Sequence, residues 1–290
     1  MAHYRSRPYN PTSDDFGTLL RFTARMVIQQ TPFHVCLPGD LAWWRSATPD
    51  DSALAYLLLW YRAETLVGWS WRNDTQVDVV IDSCEPLLWH TIVAFYAETY
   101  PDIALWAYDK QPQRGAVLAA HGFNACPDSL NLNIMATRHA PYFAMPAGWQ
   151  ARILSESDIP SRVMAQRSAF QSTKMTIDRY AFVRSHPGYT AQWDMVAIGS
   201  TGEVDAFCIV WVDTESQFAL FEPVGCRQEH HRKGITRGLI SHTLHQLYAS
   251  GISHACVLSD GIAHNPAQYL YESCGFKWID TLRMWRRART

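Results

Sequence analysis

Short apolar runs alternate with stretches of helical spacing along this chain, and the series occurs twice. In the first half, 15–30 spaces its apolar positions as a helix does. LAYLLLWY (54–61), LVGWSW (66–71) and VDVVI (77–81) read as strands. A helix at 87–99, the strand IALWAY (103–108), a short helix ending at His121 and a last strand at 130–135 follow. The second half repeats the order. It has a short strand at 152–154, then a helix at 158–169 with Asp158 as N-cap and Pro160 in the first turn. Strands at 193–198, 204–212 and 218–226 come next, the first two joined by the turn Gly199-Ser200-Thr201-Gly202. Helices at 236–250 and 266–274 flank a strand at 255–258, Gly275 is set to close the last helix in a left-handed conformation, and a final strand covers 278–285.

Strands interleaved with helices predict an α/β chain of mixed α+β type. Between the halves, RHAPYFAMPAG (138–148) carries two prolines and a glycine with little periodicity. The expected domains are therefore 1–140 and 149–290, each a twisted, mostly antiparallel sheet flanked by helices. A length of 290 residues leaves room for two cores, and 48% hydrophobic residues with twelve Trp mark a globular chain.

Charge and cysteines exclude more than they assert. A net charge of −2 lacks the basic excess of a nucleic-acid binder, and RMWRRAR (283–289) reads as a solvated tail. Seven cysteines, an odd number without CxxC spacing, argue for reduced thiols and a cytoplasmic protein. The first residues hold no apolar signal core, and no uninterrupted apolar run is long enough to span a membrane. His242 and His245 have helical spacing, but no further ligand pattern accompanies them, so no metal is expected.

The chemistry concentrates in CRQEHHRKGITRGLISH (226–242). A helix start leaves backbone N–H groups unpaired at the positive end of the helix dipole. Gly234 permits close approach and positive φ, and Arg232, Lys233 and Arg237 add charge. The ligand such a turn suits is a phosphate group. At the matching place the first half has Asp82-Ser83-Cys84-Glu85-Pro86, an acidic turn that would repel the same anion.

The segment FEPVGCRQEHHRKGITRGL (221–239) resembles the cofactor motif of the GCN5-related N-acetyltransferases, in which a strand end leads to (Gln/Arg)-x-x-Gly-x-(Gly/Ala) and a long helix. Val224-Gly225-Cys226 takes the strand end, and His231-Arg232-Lys233-Gly234-Ile235-Thr236 the loop. A second family motif, Asn…Ala-x-x-Leu-Tyr-Glu-x-x-Gly-Phe, is matched by His264 to Phe276, with Asn265 two residues before Ala267 rather than three. His231 and Thr236 also depart from the family's preferred residues. The resemblance covers 149–287 well and the first half faintly, so the whole looks like a tandem acetyltransferase with a degenerate first domain.

The resemblance implies acetyl transfer from acetyl-CoA to a small-molecule amine by direct attack. Arg237 and Asn265 join the loop residues as cofactor contacts. Backbone N–H groups at Val224 and Cys226 would meet the developing oxyanion. Tyr271 stands at the family's acid position; its first-half counterpart, Leu118, cannot donate a proton. Glu222 is the candidate base, and strand alternation puts it on the face of Val224 and Cys226 unless a bulge intervenes. Trp193, Trp211 and Phe218 are candidates for an acceptor pocket closed by the first domain. A tandem chain holds within itself the pairing that single-domain relatives gain by dimerising, which favours a monomer. The alternative reading is a non-catalytic acyl-CoA-binding or scaffold protein.

Overall fold

The computed structural model describes residues 3–29, 36–46 and 51–287. Gln30 of the expected first helix and Arg289 of the basic tail lie outside them. The first half runs β1 (Tyr4–Pro8), α1 (Asp15–Gln29), α2 (Pro38–Arg45), β2 (Leu57–Arg62), β3 (Thr65–Asn73), β4 (Gln76–Ile81), α3 (Leu87–Thr99), β5 (Ala104–Tyr108), α4 (Pro112–Ala120) and β6 (Phe123–Ala136). The second runs β7 (Gln150–Ile153), α5 (Ile159–Phe170), α6 (Ile177–Arg184), β8 (Asp194–Ile198), β9 (Val204–Asp213), β10 (Phe218–Cys226), α7 (Ile235–Ala249), β11 (His254–Asp260), α8 (Pro266–Ser273) and β12 (Lys277–Arg287).

Apolar periodicity located most of these elements, and the differences have local causes. The short helices α2 and α6 lack a long enough pattern to stand out; α6 is started by Thr176, whose hydroxyl accepts the Arg179 N–H at 3.1 Å. Residues 52–56, partly read as strand, form a 3₁₀ turn ahead of β2. Asp158 stands at the N-cap position of α5, as expected, but its side chain makes no capping bond. It is already in helical conformation, and its carboxylate accepts from the Ser155 N–H at 2.8 Å and from Arg152 at 2.6 Å. Gly275 does take a left-handed φ of 94° after α8.

The two expected sheets join into one. Twelve strands lie in the order β1-β2-β3-β4-β5-β12-β6-β11-β10-β9-β8-β7. The order is palindromic: each strand of one half has its repeat partner at the mirrored place. Both halves have given away their last strand. β6 pairs only with β12 and β11, and β12 only with β5 and β6, always antiparallel. A buried amide pair ties this seam to α8. Gln268 donates to Asn133 Oδ1 at 2.8 Å and accepts from Asn133 Nδ2 at 3.1 Å, and Ser259 adds a bond to Gln268 Oε1 at 2.7 Å. Such fully satisfied buried polar groups fix register.

Cores lie on both faces. One large cluster unites α1 and α2 with strands of both halves, including Trp69, Trp211 and Leu220. A second packs α7 and α8 on β8–β11, and a third packs α3 and α4 on the first-half strands. The segment between the halves is docked rather than loose. Ser241 on α7 donates to the Pro141 carbonyl and accepts from the Phe143 N–H, each at 2.9 Å. Gly238 leaves room there for Met145.

Since β6 has no strand partner in its own half, residues 1–140 and 149–290 produced as separate chains should each fail to fold. Co-expression should recover a soluble complex. Circular dichroism and gel filtration of the three preparations check this; a cooperatively melting isolated half would refute it.

Candidate active site

The site begins with an interrupted strand. β10 and β11 pair in parallel over Phe218–Leu220 and His254–Cys256, and no further. Beyond Leu220 the two strands diverge into a wedge. Against β9, Phe221 faces Val210 but Val224 faces Cys208, so Glu222 and Pro223 oppose one residue. This is a β-bulge, and Pro223, which has no N–H for a ladder, suits it.

The bulge overturns one expectation. Phe218 and Leu220 face the core shared with the first half, whereas Ala219 and Phe221 face α7 and α8. After the extra residue, Val224 and Cys226 join the α7–α8 face. Glu222 does not share their side; its carboxylate turns to the Trp43 indole and to Asp40 on α2. The Glu222 carbonyl accepts from the Trp211 indole at 2.6 Å.

The wedge opens into a cavity of about 650 Å³ lined from both halves. From the second half come Glu222, Val224, Asn265 and Tyr271; from the first come Asp40, Asp78, Tyr108 and Arg114. Tyr271 is 6% exposed and rests edge-on against Phe276. Burial first, and then the nearby Glu222 carboxylate, raises its pKa above the ordinary phenol value, so it keeps its proton at neutral pH. Burial raises the Glu222 pKa to about 8, and Asp40 adds to that rise. Asp40 goes up to about 6 by burial, and Asp78 to about 7 by burial and by Asp40. Sequence reasoning missed all four first-half residues, since none stands in a motif.

Beside the wedge lies the basic turn. Gly234 has φ 80° and Arg232 φ 62°, both left-handed, so the chain curls before α7. From Arg232 to Arg237 no backbone N–H finds an acceptor among the described residues; the first helical bond runs from Gly238 N to Gly234 O. Such a run of outward N–H groups is an anion nest. Lys233 sits over the Trp149 ring at 5.8 Å and Arg237 over Phe143 at 4.5 Å, which holds both cations at its rim. Thr236 directs its hydroxyl to Cys226, and Ile235 is buried in the core and anchors the turn. His231 Nε2 lies 3.1 Å from the Cys226 carbonyl. The Arg227 N–H bonds to Asp205 on β9, so by alternation Val224 and Cys226 turn their amide groups to the wedge.

Two other candidates serve packing. A side chain on Gly225 would meet Phe207 at 2.4 Å, so this glycine serves the sheet's contact with α5. Asn265 caps α8: it accepts from the Ala267 N–H at 2.9 Å and donates to the Asp260 carbonyl at 2.7 Å. It lines the cavity with both arms engaged. Of the aromatic candidates Phe218 lines the cavity, while Trp193 and Trp211 lie in the core. Leu118, on α4, is fully buried.

Residues 161–276 match the model of the Acetyltransferase (GNAT) family. This stretch is a GNAT domain. No curated protein matches the sequence. A GCN5-related N-acetyltransferase from Sphaerobacter thermophilus superimposes with a TM-score of 0.67 at 14% identity, over 98% of this chain and 95% of that one. A tandem GNAT protein from the clavulanic acid biosynthesis pathway gives 0.65 at 13%, over 99% of each chain. A GNAT-family acetyltransferase from Colwellia psychrerythraea gives 0.67 at 10%, over 98% and 100%. At such identities the likeness is one of fold, and it extends over both halves. Among the described residues no cluster of His, Cys, Asp or Glu could hold a metal ion, no helix is long and apolar enough to cross a membrane, and all seven cysteines are free.

In the GNAT domain Glu222 ionises near pH 4.3 when unfolded and near 8 when folded. Between those values the folded state holds more protons, so its stability falls as pH rises across that window and levels off above it. Melting temperature should therefore drop from pH 5 to pH 9, and more steeply than in Glu222→Gln. Parallel slopes for the two proteins would contradict the assignment.

Proposed function

We propose that the protein transfers an acetyl group from acetyl-CoA to the amine of a small molecule within a ternary complex. The observation that carries this reading is the run of free N–H groups from Arg232 to Arg237, opening beside a wedge that contains Tyr271. The nest suits a pyrophosphate: six donors and the positive end of α7 meet there, with Lys233 and Arg237 beside them. The wedge suits an extended polar chain, since strand edges left unpaired there can take hydrogen bonds from a ligand. Acetyl-CoA bound here would supply an acyl group activated as a thioester.

The chain's own groups then have distinct tasks. The Val224 N–H, turned to the wedge, is the donor for negative charge developing on a carbonyl oxygen. Tyr271 keeps its proton at neutral pH and gives it to a departing thiolate. Glu222 takes a proton from the incoming ammonium, and a pKa near 8 makes it an effective acceptor close to neutrality. The first half supplies the opposite wall of the cavity. Among its described residues neither feature recurs: Asp82–Pro86 stands in place of the basic turn, and Leu118 in place of the acid.

Calorimetry with acetyl-CoA should give micromolar binding to the wild type. It should give none to Gly234→Asp, which puts a side chain at a left-handed φ and a negative charge in the nest. Tyr271→Phe should bind as the wild type does and lose roughly 100-fold or more in turnover. Absence of wild-type binding would remove the proposal. Unchanged turnover in Tyr271→Phe would remove the acid role.

A further inference from the structure

Besides Glu222, the cavity holds ionisable side chains to which acetyl transfer by itself gives no task. Asp40, Asp78 and Glu222 line it, and none forms an ion pair among the described residues. Asp40 is 6% exposed, and among the described residues it accepts the Leu37 N–H and the Cys36 thiol. Arg114 lines the same cavity. Its guanidinium makes no hydrogen bond or ion pair among the described residues, and its one ring contact is Trp89 at 5.0 Å. Burial pulls its pKa down to about 10, which still leaves it charged at neutral pH. Charges withdrawn from water are normally paired. No ion pair joins Arg114 to these carboxyl groups among the described residues, so the cavity is lined by one guanidinium and, apart from it, by these three groups, which can become anionic.

The repeat explains how Arg114 reaches that place. It stands as far before Gly122-Phe123 as Ala267 stands before Gly275-Phe276. Each occupies the first turn of the helix that follows the diverging strand, α4 or α8. In the second half the small Ala267 leaves the wedge open. In the first half β4 and β5 also pair in parallel over only two residues, Gln76–Val77 with Ala104–Leu105. There the matching helix carries an arginine instead of a methyl group. The first half has thus put a cation on the lining of the shared cavity at the place where the second half has a methyl group.

Resting on the acetyl-transfer reading, we infer that the acceptor is an amino-acid-like amine, its ammonium held among Asp40, Asp78 and Glu222 and its carboxylate by Arg114. A single guanidinium matches a carboxylate in charge and bidentate geometry, whereas a phosphate dianion would call for a second cation. The same cavity is lined by Trp43, Trp44, Trp71 and Trp106, which suits an apolar or aromatic body. Arg114 is here a specificity residue and takes no part in the chemistry.

The test uses the full chain and acetyl-CoA with matched pairs: phenylalanine against phenethylamine, and tryptophan against tryptamine, with free CoA thiol as readout. The expected result is a preference for the amino acids of at least about tenfold in kcat/KM, the scale of one charge-assisted pair. Arg114→Gln should erase that preference by raising KM for the amino acids alone, and Arg114→Lys should restore part of it. Calorimetry should show acetyl-CoA affinity unchanged in both variants, which establishes that they are folded. Equal or better use of the decarboxylated amines would overturn the inference. So would a ratio insensitive to Arg114→Gln, or a silent panel. A silent panel with acetyl-CoA still bound defeats only the acceptor class; wild-type protein that does not bind acetyl-CoA defeats the acetyl-transfer reading itself.

Discussion

A proline has no N–H to offer a neighbouring strand, and Pro223 stands in the middle of β10. The strand accommodates it by a bulge against β9, and two consequences shape the site. The partnership with β11 ends at Leu220, so an open wedge lies beside the strand. The alternation of side chains also shifts by one. Val224 and Cys226 turn to α7 and α8, while Glu222 is left on the opposite face beside Asp40. The Glu222 carboxyl group and the Val224 and Cys226 amides are thereby set on two sides of one strand edge.

The exchange of last strands gives that edge something to face. β6 and β12 each lie wholly among strands of the other half, so the halves share one sheet and one central cavity. The seam also holds the helix that bears Tyr271: Gln268, one turn earlier on α8, is locked to Asn133 of β6. The first half, with Asp82–Pro86 in place of the basic turn and Leu118 in place of Tyr271, still shapes this cavity. It brings Asp40, Asp78 and Arg114 to the wall across from the wedge.

How much was legible in the sequence depended on how local each feature is. Most strands and helices followed from apolar spacing within a dozen residues. The anion nest was legible because its glycine, its cations and the helix it opens are contiguous from His231 to Arg237. So was Tyr271, carried on a short helix closed by Gly275. The short helices α2 and α6 were not, because eight residues hold too little periodicity and their stability comes from packing. Asp158 takes the N-cap position of α5 but makes no capping bond, because Ser155 and Arg152 compete for its carboxylate.

The sequence by itself therefore determined the repeat, the element types and which half carries the basic glycine turn, since each is set by neighbours along the chain. Only the tertiary structure decided that two sheets are one, that Glu222 faces Asp40, and that Arg114 reaches the same cavity. Those outcomes rest on strand register and on contacts between residues more than a hundred positions apart. A one-residue slip at Pro223 reverses a face, and apolar spacing does not record which strand of which half will lie alongside.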